Sequence, residues 1–240
     1  MQEQSLSCEA ATLHAGLAAF GCYQTEKELL SLMPFQPFPG NPNKGFVGKP
    51  NGKYMVDGYG IYSLALLPIA RMFLPRSYQI RCSDFVQSYI DNVLDRNNCI
   101  VCWITLRPYE SCAPIVWHLS PYESPVVSPY VHVVLLVARV VSLYCIMDPL
   151  FGFQWVSWEW LLNRMRLLCN MNIVLCTEKS ATGYGCFKSG YGIPGECVKC
   201  GASSAKSSQK VWIVDGSCID CYPSRSDSCS MSTAMSLEKM

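Results

Sequence analysis

Residues 131–147 read VHVVLLVARVVSLYCIM, the most apolar window of the chain. His132 and Arg139 interrupt it, and it is too short to span a bilayer comfortably. β-Branched and aromatic residues dominate it, so it reads as two buried strands, VHVVLLV (131–137) and SLYCIMD (142–148). CIVCWIT (99–105) and MNIVLC (171–176) share this texture. The helical patterns lie mostly upstream. TEKELLSLM (25–33) has Thr25 and Glu28 in capping-box register, which predicts a short helix from about 26 to 33. IYSLALLPIARMF (61–73) and SDFVQSYIDNVLDRN (83–97) predict two more, the second capped by Ser83, and SWEWLLNRM (157–165) a later one. Helices come first and strands afterwards, so the fold class is α+β rather than a regular βαβ repeat.

The chain opens MQEQSLSCEAATLHAGLAAFG. Ala10, Leu13, Leu17 and Phe20 recur at helical spacing, and Gly21 sits where a helix would end. Ser7 is a suitable N-cap, which puts Cys8 in the first turn. Free amides and the positive end of the helix dipole favour an anion there, so the thiol is expected to ionise readily, and the thiolate is the nucleophile. The alternative is a small buried hydrophobe. Between the second and third helices, residues 34–60 are rich in Pro, Gly and Asn, a long loop of the kind that often carries function, and its aromatics imply that part of it packs down.

Composition narrows the partners. Of 240 residues, 50% are hydrophobic and 15% charged, with a formal net charge of +1. Such a chain can bury a sizeable core, and without a basic cluster neither nucleic acid nor an anionic membrane is an expected partner. No basic-then-apolar leader precedes the first helix, so no signal peptide is expected and the cytoplasm is the default location. The pattern assigns no oligomeric state.

Beyond residue 177 apolar periodicity fades into Gly, Ser, Lys and Cys. The reading divides the chain into a folded domain over 1–176, a Cys-rich appendage over 177–225 and a disordered tail over 226–240. CVKC and CIDC supply Cys197, Cys200, Cys218 and Cys221, with the spacing of a zinc ribbon, in which four thiolates close a tetrahedral structural site. A structural zinc is therefore expected in the appendage, against the alternatives of paired disulfides or an unstructured tail. No cofactor is expected for catalysis.

His132 on the strand and Asp148 at the end of the next strand complete, with Cys8, the parts of a Cys-His-Asp triad. The imidazole takes the thiol proton and returns it to the leaving group, and the acid holds the ring's tautomer. His14 shares the cysteine's helix and His118 lies in an apparent loop, so neither is as well placed.

QEQSLSCEAATLHAGLAAFG, NPNKGFVGKPNG, GYGIYSLALLPIA, CIVCWIT, VHVVLLV, MDPLFGFQWVSWEWLL and NMNIVLC together resemble, in order across residues 2–176, the double-glycine-peptidase-like family of the papain-like cysteine peptidase superfamily. The resemblance implies a papain-like fold, with N-terminal helices packed on an antiparallel sheet. It also implies Cys8 as nucleophile, His132 as base, Asp148 as third member and Gln2 as donor to the oxyanion. The chain departs from the family pattern at Val131 before the histidine, at VARVVS in the turn after its strand, and at Asn97-Asn98 before the first core strand. The implied function is a thiol peptidase or amide hydrolase working through an acyl-enzyme, with a peptide or amide as substrate. The same fold also serves a catalytically silent peptide-binding domain or an acyl transferase.

Overall fold

The computed structural model describes residues 1–80, 85–168 and 171–177, together with the backbone of 213–214 and 217–218. Its helices are α1 (Cys8–Ala19), α2 (Glu26–Leu32), α3 (Ser63–Phe73), α4 (Gln87–Asp95) and α5 (Trp158–Met165). The strands of the first half are β1 (Phe35–Gln36), β2 (Phe46–Gly48), β3 (Gly58–Gly60), β4 (Tyr78–Ile80) and β5 (Cys99–Thr105). They are followed by β6 (Ile115–Val116), β7 (Val126–Val127), β8 (Val131–Val140), β9 (Leu143–Asp148), β10 (Gly152–Ser157) and β11 (Asn172–Leu175). A last pair, β12 (Ile213–Val214) and β13 (Ser217–Cys218), is antiparallel. The class is the α+β arrangement the sequence predicts, helices packed on an antiparallel sheet.

The central sheet has six strands in the order β10-β9-β8-β5-β11-β4, and each neighbouring pair is antiparallel. Side chains alternate across it, as the pleat requires. Val101, Trp103, Val133 and Leu135 pack into the core built with α1. Ile100, Cys102, Val134 and Leu136 pack into the second core with α4 and α5. Burial on both faces explains why β5 and β8 read as continuous apolar runs.

Helix α1 is more central than an amphipathic reading suggests. Nearly every residue of it is buried, and Leu13 and Leu17 are fully so, each worth about 2 kcal/mol of transfer free energy. Gly16 lets it sit this close, because a Cβ there would come 2.4 Å from Leu175 Cδ1. The capping box of α2 forms as its sequence predicts: Glu28 N donates to Thr25 Oγ1, and Thr25 N to the Glu28 carboxylate. At α1 the expectation fails in detail. Ser7 stands at the N-cap without capping, since its hydroxyl is taken up by the Glu26 carboxylate and by Gln4.

Other differences have similar causes. Helix α4 starts only at Gln87, after Val86, and Ser83 lies outside the described residues. GFQWVS, which carries little strand periodicity, becomes β10 by pairing along the whole of β9. MNIVLC forms an interior strand, β11, between β5 and β4. Residues 34–60 are partly ordered by a small three-stranded sheet, β1-β2-β3. The zinc-ribbon reading falls on Cys197, Cys200, Cys218 and Cys221, whose side chains lie outside the described residues, as does the boundary between appendage and tail. Among the described residues no group of three or more His, Cys, Asp or Glu is placed to hold a metal ion, and no helix is long and apolar enough to cross a membrane.

Candidate active site

The site is built at a gap in sheet pairing. Strand β9 ends at Asp148, and its register with β8 begins at Leu135, so the first residues of β8 have β5 on one side and no strand on the other. The start of α1 fills that open edge. Thr12 Oγ1 donates to Val133 O at 3.0 Å, and the Val133 amide acts on the Cys8 thiol, favouring its ionised form. The N-terminal segment lies against the same corner, with Gln2 N donating to Pro149 O at 2.9 Å.

His132 and Asp148 are both buried, at 3% and 5% exposure, and His132 Nε2 lies 2.9 Å from Asp148 Oδ1. The same Oδ1 accepts the amides of Leu150 at 2.8 Å and Phe151 at 3.3 Å, so the DPLF turn orients its own carboxylate. A carboxylate can only accept; Nε2 therefore carries the hydrogen toward Asp148, and in the neutral imidazole the lone pair is on Nδ1. That is the tautomer a base toward a thiol needs.

The segment that delivers His132 is held by tyrosines that sequence patterning did not single out. Tyr54 Oη accepts Val131 N at 3.1 Å and donates to Ser128 O at 3.2 Å. Tyr59 Oη bonds both Ser128 N and Ser128 O, and Tyr59 and Tyr62 share a 2.6 Å hydroxyl contact. Trp117 packs edge-on against Tyr59 and Phe38, and Lys44 and Asn41 reach Glu123 on the β6–β7 hairpin. These contacts tie the 34–60 region to the entry of β8. The only advance sign was the cluster of aromatics in a loop otherwise rich in Gly and Pro.

Cys8 departs from expectation. It is 9% exposed, and its Sγ donates to Glu9 Oε2 at 3.3 Å rather than to His132. Burial and the adjacent Glu9 carboxylate push the thiol well above its ordinary pKa, outweighing the pull of the Val133 amide. The helix-start argument predicted easier ionisation; desolvation and a like charge reverse it. Glu9 itself is 2% exposed. Its Oε1 accepts Ile61 N at 2.9 Å, and burial raises its pKa to about 7.

Gln2 spends its Nε2 on the carbonyls of Gln4 and Ser5, at 2.9 and 3.2 Å, and its buried Oε1 has no partner among the described residues. In this conformation it offers no free N–H to an oxyanion. His14 turns away to Gln24 O, and His118 contacts Ser124 on the surface. The described cysteines are all free thiols, and Cys102 and Cys145 are held un-ionised by burial in the sheet core.

No family model and no curated protein matches the chain. A solved structure described as a "putative C39-like peptidase from Bacillus anthracis" does, with a TM-score of 0.65 and 19% identity over 75% of this chain and 92% of that one. The chain has a C39-like peptidase fold. At that identity the likeness is one of fold.

Proposed function

We propose that the protein is a thiol peptidase or amide hydrolase in which Cys8 is the nucleophile, His132 the base and Asp148 the orienting acid. The observation that carries this is the buried His132–Asp148 pair, which leaves the second imidazole nitrogen outside that bond, at the open strand edge where the start of α1 docks. The Cys8 proton passes to His132 Nδ1 and the thiolate attacks the substrate carbonyl carbon. The tetrahedral intermediate collapses by breaking the C–N bond, and His132 gives its proton to the leaving amine. Water, deprotonated by the same nitrogen, then cleaves the thioester, releasing a carboxylic acid and the free thiol. In the resting site the thiol must first redirect its S–H from Glu9 to His132. Within the C39-like fold the ordered CEAA, FVG and DPLFG segments favour the double-glycine-peptidase-like group, with a peptide or amide substrate.

The second reading, a peptide-binding domain without turnover, draws on the raised pKa of Cys8 and its bond to Glu9. A fluorogenic peptide library decides between them. Hydrolysis lost to background in both Cys8→Ala and His132→Ala, a drop on the order of 10⁴-fold or more, supports the triad. Hydrolysis that survives Cys8→Ala overturns it, and binding without turnover by the wild type supports the silent domain.

A further inference from the structure

Glu9 has no role in the triad, yet it is the group in contact with the candidate nucleophile. It is a buried carboxyl with no cation paired to it among the described residues. Its two oxygens are committed, Oε1 to the Ile61 amide and Oε2 to the Cys8 thiol. The fold makes room for it specifically. Gly60, at φ +121°, stands where a Cβ would come 2.1 Å from Oε1, so glycine at that position leaves space for the carboxylate. The titratable groups around Glu9 are Cys8 on α1, Tyr54 and Tyr62 from the flanking loop and the start of α3, and His132 on β8, while Asp148 on β9 acts on Cys8. None is a lysine or arginine. A negative charge at Glu9 therefore falls on a site that must also bear a thiolate.

We propose that Glu9 is a catalytic proton-holding residue: as a carboxylate it accepts the Cys8 S–H and keeps the thiol protonated, and as a carboxylic acid it donates its O–H to the Cys8 thiolate and stabilises the Cys8⁻/His132⁺ pair. This deepens the hydrolase reading and rests on it for the role of His132, although the Glu9–Cys8 contact itself does not. The balance is simple. In the armed state one proton sits on Glu9 and one on His132, with sulfur ionised. Loss of one proton to solvent leaves Glu9 ionised, the thiol protonated and His132 neutral, which is the state the observed thiol–carboxylate bond fits. Two negative charges in direct contact are disfavoured, so the armed state is lost as Glu9 releases its proton, near pH 7 from the pKa given above. The site then becomes less reactive with rising pH, opposite to an ordinary exposed thiol.

Iodoacetamide labelling of the full chain tests this, with modification of Cys8 quantified by mass spectrometry of its peptide between pH 5.5 and 8.5. The expected wild-type rate constant falls as pH rises through about 7. Glu9→Gln keeps an acceptor for Ile61 N and places a permanent N–H donor on the sulfur. Its rate constant is expected to show no fall, and to exceed wild type by about ten-fold or more at pH 8. Glu9→Asp keeps the charge on a shorter arm and is expected to stay close to wild type in sign of the pH dependence, provided circular dichroism shows it folded. A wild-type rate that rises steadily across the range, with a Glu9→Gln profile superimposed on it, overturns the proposal. His132→Ala separates the two readings. If it leaves Cys8 labelling unchanged, the triad fails, while a difference between wild type and Glu9→Gln still upholds the Glu9–Cys8 coupling.

Discussion

Burial of Glu9 makes a thermodynamic demand that can be measured without any substrate. In the unfolded chain its carboxyl ionises at the ordinary value of 4.5, and in the folded protein only at about 7, chiefly because burial penalises the charge. Between these values the folded state holds a proton that the unfolded state has released. Folding stability therefore falls as pH climbs from about 4.5 to 7 and levels off above, the opposite of a salt-bridged carboxylate. A separation near two and a half units corresponds to about 3 kcal/mol, a large fraction of a stability of 5–15 kcal/mol. Glu9→Gln removes the ionisation while keeping shape and hydrogen-bonding capacity. The assay is urea unfolding of wild type and Glu9→Gln at pH 5, 6, 7 and 8 under reducing conditions, and the quantity is the difference between them, in which titrating groups not coupled to Glu9 cancel. The difference is expected to shift in favour of Glu9→Gln by about 2–3 kcal/mol from pH 5 to pH 8. Parallel stability curves for the two proteins would refute the reasoning, since they would mean that Glu9 ionises alike in both states.

Gly60→Ala is expected to destabilise by about 3 kcal/mol or more at neutral pH, because it adds strain at a positive φ and forces Oε1 off the Ile61 amide; a midpoint unchanged in urea contradicts the close approach. Tyr59→Phe removes the hydroxyl that bonds both backbone groups of Ser128, and a loss of about 1–3 kcal/mol in the same assay is expected. A chain ending at Cys176 is expected to keep a cooperative thermal transition and the wild-type rate of Cys8 labelling, whereas one ending at Cys169 loses β11 from inside the sheet and is expected to aggregate. The appendage is proposed to bind about one zinc per chain through Cys197, Cys200, Cys218 and Cys221, and a metal analysis finding none in protein prepared reduced with zinc supplied removes that proposal.

The sequence by itself determined the elements whose causes are local. β-Branched composition marked β5, β8, β9 and β11, and the Thr25/Glu28 register marked the start of α2, because strand texture and a capping box act within a few residues. It also singled out His132 and Asp148, whose strand positions follow from that same texture. Tertiary structure alone decided the chemistry around Cys8. The local dipole argument favours a thiolate, but the outcome depends on how deeply α1 is buried and on Glu9 being held by the Ile61 amide, 52 positions away in the chain. The free edge of β8 exists only because β9 stops at Asp148, and the tyrosines that fix residues 128–131 come from 66 or more positions upstream. Desolvation and long-range contact set the charge state of the site, and neither leaves a periodic trace in the sequence, since both arise when distant segments close around the same few atoms.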